Sequence, residues 1–132
     1  MDARDLARLA HLVEARKAGA LARLEALTAE MRTCEDEIVA LRETAARDLA
    51  EGGLPPAQQA LRLKWAEQGI VLARQRIARL APEIAAARAA AIRELGKHEA
   101  LETLSERAEV EATRLRAARV ERDAPPHPAR PK

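Results

Sequence analysis

The chain has 132 residues, of which 48% are hydrophobic and 33% charged, with a formal net charge of +2. It contains one Trp, no Phe and no Tyr, and its apolar side chains are mainly Ala and Leu. A compact globule fills its core with large branched and aromatic side chains. A composition rich in Ala, Glu, Leu and Arg is instead typical of coiled coils and long helices. The composition argues against a sheet, a catalytic pocket and a membrane protein.

The charge balance and the cysteine content indicate which partners and which compartment suit the protein. The 23 basic and 21 acidic residues are too balanced to indicate a nucleic-acid surface. The lone Cys34 supplies neither an intramolecular disulfide nor a metal-ligand set, which suits a reducing compartment. No secretory signal and no apolar run of about 18 residues is visible. We expect a cytoplasmic protein with no cofactor, no metal, no nucleic acid and no membrane insertion.

Two helix-breaking clusters divide the chain. The first is the Gly-Gly-Leu-Pro-Pro segment at residues 52–56, and the second is the tail at residues 124–132, which contains four prolines. Glycine favours a helix C-cap and proline favours the first position of a helix. The pattern predicts helix 1 over about residues 3–51, helix 2 over about residues 57–122 and a disordered tail over residues 124–132. Residues 1–123 then form a single domain.

Apolar residues alternate at spacings of three and four in both segments, which is typical of a coiled coil. The seam of helix 1 is Ala10, Val13, Lys17, Ala20, Leu24, Leu27, Met31, Cys34, Ile38, Leu41 and Ala45. The seam of helix 2 is Leu63, Ala66, Ile70, Ala73, Ile77, Leu80, Ile84, Ala87 and Ala91, then Leu95, Leu101, Leu104, Ala108 and Leu115. The looser spacing near Ile92 predicts a phase shift there.

Three patterns predict an all-α fold, a long antiparallel two-helix coiled coil with its turn at residues 52–56. Folding back at Leu54 brings together residues whose numbers add to about 108, so that Ile38 meets Ile70. Residues 30–51 carry seven acidic and three basic side chains, whereas residues 57–79 carry five basic and one acidic. Small residues around Gly19 and Ala89 predict a close helix crossing. Pro82 is expected to bend helix 2 without ending it.

The pairing leaves the end of helix 2 without an intramolecular partner. This predicted overhang covers residues 107–122 and contains the candidate contact residues Arg107, Val110, Arg114, Leu115, Arg116, Arg119 and Arg122. An isolated helix of this length is marginal in water. Two interpretations stay open, a frayed and solvated end or a helix that orders on contact with a partner.

Trp65 forms a second candidate site. It lies in line with Leu61 and Leu72 and, together with Leu49 and Leu54, predicts an apolar patch at the tip of the hairpin. The patch either seals the turn locally or binds a partner, because an exposed Trp is a common interface anchor.

No residue pattern indicates catalysis. The predicted pairing brings His11 and His98 to the same level along the hairpin, near Glu14 and Glu94. Two imidazoles and two carboxylates are a possible ligand set for a metal ion. We interpret the four as flanking positions of a solvated coil. The chain lacks a glycine-rich phosphate loop, a CxxC pair and a Ser-His-Asp arrangement, and we expect no catalytic residue.

The segment KHEALETLSER at residues 97–107, with the Glu/Arg-rich helix after it, is similar to the C-terminal pattern of the FliJ/YscO family. That pattern is a leucine pair followed by Glu-Arg and a charged helix. The resemblance implies a cytoplasmic component of flagellar or virulence type III export. It also implies a rod whose open end enters a hexameric export ATPase like the stalk of a rotary ATPase, while another part contacts the export gate or escorts chaperones.

Two other classes of function stay open at the level of sequence. Leu9, Leu12, Leu21 and Leu49 lie off the main seam and favour a self-associating scaffold, in which two hairpins form a four-helix bundle. A chaperone-like or regulatory adaptor would be built from the same kind of coiled coil, so the sequence does not separate it from a scaffold.

Overall fold

The computed structural model describes residues 2–126 and contains two helices, α1 at Ala3–Glu51 and α2 at Pro56–Asp123. Both helices begin and end within one residue of the bounds expected from the sequence. Their 49 and 68 residues make rods of about 70 and 100 Å. Within residues 2–126 there is no strand, and neither helix contains a stretch long and apolar enough to cross a lipid bilayer. Most of the predicted tail, residues 127–132, lies outside the described residues.

Local capping explains where the helices begin and end. Asp2 caps α1, because its Oδ1 accepts a hydrogen bond of 2.8 Å from the backbone N–H of Asp5. Gly52 ends α1 with φ 59°, a left-handed conformation that glycine adopts readily, and its N–H lies 3.4 Å from the Asp48 carbonyl. Pro56 then opens α2 at a position that needs no N–H donor. The result is a short turn between two long helices.

The two helices pack against each other along their length as a helical hairpin. Near the turn, Arg62 Nη1 donates to Asp48 Oδ1 at 3.2 Å, and further along Arg76 Nη2 donates to Glu30 Oε1 at 2.8 Å. Towards the other end, His98 Nε2 lies 2.8 Å from Glu14 Oε2. Along this series of contacts, the α1 residues lie progressively closer to the N-terminus and their α2 partners progressively closer to the C-terminus. The all-helical hairpin class is therefore confirmed.

A continuous seam of buried and half-buried residues joins the helices. On α1 it consists of Leu6, Val13, Lys17, Ala20, Leu24, Leu27, Met31, Cys34, Ile38, Leu41, Ala45 and Asp48. On α2 it consists of Ala66, Ile70, Ala73, Ile77, Leu80, Ile84, Ala87, Ala91, Glu94, His98, Leu101 and Ser105. The α2 seam alternates between spacings of four and three without interruption, and α2 continues through Pro82.

The predicted phase shift near Ile92 is therefore wrong. After Ala91 the seam passes through Glu94 and His98, whereas Leu95 and Leu104 are exposed. Ala10 of the predicted α1 seam is also exposed, and the neighbouring Leu9 is half-buried. The physical reason is that the regular seven-residue repeat places polar side chains in the seam where an apolar pattern cannot detect them.

The predicted part of Gly19 and Ala89 in a close helix crossing is also wrong. Both residues are exposed, and a Cβ added at Gly19 would meet nothing within 4 Å. Close approach occurs instead at Gly69, where an added Cβ would lie 2.7 Å from Leu41 Cδ1. Gly69 lies beside the seam on the face that α2 turns towards α1, which explains the difference.

The core is thin, and Cys34, at 0% exposure, is the most enclosed of residues 2–126. Leu27, Cys34, Leu80, Ile84 and Ala87 form the central cluster, with Leu24, Met31 and Ile77 packed against it. The accessible surface is 10723 Å², whereas a compact monomer of 14.4 kDa exposes about 6,800 Å². The chain is an extended rod whose sides and ends are available to other molecules.

Candidate functional site

The end of α2 projects beyond the paired part of the hairpin. Every residue from 106 to 126 is exposed, and α2 remains helical to Asp123. Val110 is 68% exposed and Val120 is 70% exposed. We call residues 106–123 the projecting end.

The heptad spacing of α2 continues into the projecting end. Seven-residue steps from Leu101 and Ser105 reach Ala108, Ala112 and Leu115. Ala108, Ala112 and Arg116 of α2 line a groove of about 510 Å³ with Ala3, Leu6 and Ala7 of α1. Leu115 does not line this groove and is 52% exposed. The first part of the projecting end therefore lies beside the start of α1, and Leu115 presents an exposed apolar seam position outside this groove.

The arginines of the projecting end fall into two groups. Arg114 Nη2 and Nε lie 2.8 and 3.2 Å from the Glu111 carboxylate, and this pairing lowers the pKa of Glu111 and raises the pKa of Arg114. Arg116 Nε donates to the Ala112 carbonyl at 3.3 Å. Within residues 2–126, the remaining arginines form no ion pair; they are Arg107, Arg119 and Arg122. These three guanidinium groups are available to acidic side chains of a partner.

The tip carries the second predicted surface. Leu61, Trp65 and Leu72 are 66%, 65% and 60% exposed, and Leu49 is 66% exposed. These four side chains remain largely in solvent, whereas Leu54 in the turn is half-buried. Trp65 and Leu72 line an open groove of about 670 Å³, together with Ala40, Leu41, Gly69 and Ala73. We call it the tip groove.

Charged residues border the tip groove, and the sequence interpretation missed them. Arg76 and Arg79 of α2 and Glu37 of α1 also line it, as does the polar Gln68. Arg76 is bonded to Glu30, which raises the pKa of Arg76. Arg79 follows Leu72 by seven residues, so helical spacing was the signal that places it on the same face. The groove thus combines an apolar centre with a mainly basic border on α2.

The histidine cluster predicted from the sequence is only partly present. His98 contacts Glu14 at 2.8 Å, and its Nδ1 lies 3.8 Å from Glu102 Oε1, whereas His11 is exposed. The hydrogen bond from Lys17, with a smaller contribution from His98, lowers the pKa of Glu14. Among residues 2–126, no group of three or more His, Cys, Asp or Glu side chains has an arrangement that would hold a metal ion. The cluster connects the two helices.

Comparison of the chain with protein-family models, curated proteins and solved structures gives no match. Two surfaces of the chain itself are the candidate sites, the projecting end and the tip groove.

Proposed function

We propose that this chain is a non-enzymatic rod that docks the projecting end of α2 on a larger protein assembly. One observation carries the proposal: residues 106–123 are helical and exposed, and the seam positions Ala108, Ala112 and Leu115 continue into them. A single helix of this length is marginal in water. A partner that covers its seam would therefore stabilise it.

The paired part of the rod is, in this proposal, an antiparallel coiled coil. In the antiparallel register, charged residues that flank the seam on one helix lie opposite residues of the other sign on the second helix. The Glu30–Arg76 pair supports this arrangement, and the same register brings Arg42 opposite Glu67 and Glu35 opposite Arg74. Complementary charges beside the seam fix orientation and register.

The resemblance to the FliJ/YscO family implies which assembly the rod binds. It is a hexameric export ATPase in the cytoplasm, with the export gate as a further contact. A rod with one projecting end has the shape that a stalk in a ring requires. The contact residues would be the apolar Val110 and Leu115 with Arg107, Arg119 and Arg122, which form no ion pair within residues 2–126. Arg114 and Arg116, bonded to their own helix, would contribute less.

Deletion of residues 107–132 tests this function. The thermal melt of the hairpin should change little, because the removed residues of the helix are exposed. Binding to a cognate export ATPase and stimulation of its ATP hydrolysis should both be lost. Equal stimulation by the full-length and truncated proteins would place the functional surface elsewhere on the rod.

A charge-reversal pair provides the matched control. Changing Arg107, Arg119 and Arg122 to Glu should weaken binding to the ATPase, since these guanidinium groups form no ion pair with any residue the structure describes. The same change at Arg16, Arg88 and Arg93, which are exposed on the paired part of the rod, should leave binding unchanged. Similar losses with both sets would mean that overall charge, not the projecting end, determines binding.

A further inference from the structure

Exposed apolar side chains are concentrated near the start of α2. Between residues 61 and 72, the large exposed hydrophobic residues are Leu61, Leu63, Trp65, Val71 and Leu72. Scattered single hydrophobic residues are normal on a protein surface, but Leu61, Trp65 and Leu72 recur at helical spacing on one face of α2 and include the only aromatic residue, which is typical of an interaction site. The tip groove lies beside this group.

The tip groove has room for another helix. Its lining includes the small residues Ala40 and Ala73 beside the larger Trp65 and Leu72. Small residues at such positions let helix backbones approach closely, and large ones on either side supply the area to bury. The open groove of about 670 Å³ is therefore suited to side chains from a packed helix.

The charges of this chain match those of a second copy. A twofold axis along the rod places α1 of one copy against α2 of the other, with both turns at the same end. Residues 30–51 of α1, with seven acidic and three basic side chains, then lie beside residues 57–79 of α2, with five basic and one acidic.

Individual charges at the tip are also available for such a contact. Within residues 2–126, Arg79 and Glu37 form no ion pair, although both line the groove. By the hairpin register, the twofold axis brings Arg79 of one copy to the level of Glu30 of the second copy. The Glu30 side chain is 44% exposed while it is bonded to Arg76, so it can also accept a hydrogen bond from this second guanidinium.

We propose that a second copy of this chain covers the tip groove, forming a four-helix bundle over the tip half of the rod. Trp65 and Leu72 of each copy pack on the small-residue face around Ala40 of the other, and Arg79 faces its acidic α1. This inference goes beyond the proposed function and does not depend on it. Trp65 lies about 60 Å along α2 from the projecting end.

The full-length protein provides its own probe, because Trp65 is the only aromatic residue in the chain. Sedimentation equilibrium and Trp fluorescence are measured over the same range of protein concentration. We expect the mass to rise from 14.4 kDa towards twice that value as the Trp emission shifts to shorter wavelength and becomes shielded from acrylamide. A monomer at every concentration with solvent-exposed Trp emission would overturn the proposal, as would a dimer whose Trp65 stays exposed.

A pair of charge reversals locates the interface. Arg79→Glu should weaken dimerisation by about tenfold, because the symmetric contact loses two attractions and gains two repulsions. Arg93→Glu is the matched control, since Arg93 occupies the same heptad position two heptads later and faces Arg16 of the second copy; it should not weaken the dimer. A dimer that is unaffected by Arg79→Glu and lost on deletion of residues 107–132 would place the interface at the projecting end and contradict the proposal.

Discussion

Gly19 and Gly69 are both inside helices, but they differ in what surrounds them. An added Cβ meets open space at Gly19 and lies 2.7 Å from Leu41 Cδ1 at Gly69. Gly19→Ala should raise the free energy of unfolding by about 1 kcal/mol, the difference in helix propensity between the two residues. Gly69→Ala should gain less, because the end of the Leu41 side chain must move. Urea unfolding of both variants measures the difference, and equal gains would contradict the packing at Leu41.

Glu14 provides a pH-dependent contribution to stability. Its lowered pKa, caused first by Lys17 and further by His98, means that the folded state favours the ionised carboxylate. This contribution is present above the ordinary pKa of 4.5 and is lost as the pH falls through the lower folded value.

Glu14→Gln should therefore reduce the dependence of the melting temperature on acid pH. Thermal melts at about pH 7 and about pH 3 should show a smaller decrease for the variant than for the unchanged protein. Glu25→Gln, at an exposed α1 carboxylate that forms no ion pair within residues 2–126, is the control and should behave like the unchanged protein. Identical decreases for all three proteins would show that the Glu14 contacts do not stabilise the folded state.

At the scale of the elements, the sequence predicts the helices well because glycine, proline and apolar spacing act locally. Gly52 and Pro56 mark the turn, and the α2 seam from Ala66 to Ala91 follows the apolar repeat. The continuation of the seam through Glu94 and Ser105 could not be predicted from apolar residues, because both side chains are polar. One carboxylate oxygen of Glu94 is buried and has no hydrogen-bond partner within the described residues, which is an unfavourable environment for a charged group.

The register of the two helices predicts a disulfide. Ile38 is buried and Ile70 is half-buried in the seam, and the proposed antiparallel pairing brings them opposite each other. With Cys34 changed to Ala, the Ile38→Cys, Ile70→Cys double variant should form an intramolecular bridge on oxidation, seen as a monomer with altered mobility in non-reducing electrophoresis. The Ile38→Cys, Leu101→Cys variant, whose sites lie far apart along the rod, should not. Bridges only between chains, each joining a position to its own copy, would contradict the hairpin.

At the scale of the whole molecule, a thin core and a large surface explain why both candidate sites are exposed. The sequence predicts the positions of Trp65, Leu72 and the projecting end from composition and pairing. It does not predict the tip groove, because residues from both helices build it: Glu37 and Ala40 come from α1, and Arg79 comes from α2. Their proximity depends on which face each helix turns towards the other, and this is determined only when the chain is folded.

The proposed function requires that residues 106–123 form an exposed helix, which α1 borders along the groove at Ala108, Ala112 and Arg116. Amide hydrogen exchange of the full-length protein tests it most directly, because exchange reports how readily each segment opens. We expect slow exchange in the central seam of the hairpin, around Cys34 and Leu80, and fast exchange throughout residues 106–123. Exchange in residues 106–123 of the monomeric, partner-free protein that is as slow as in the central seam would contradict the proposal.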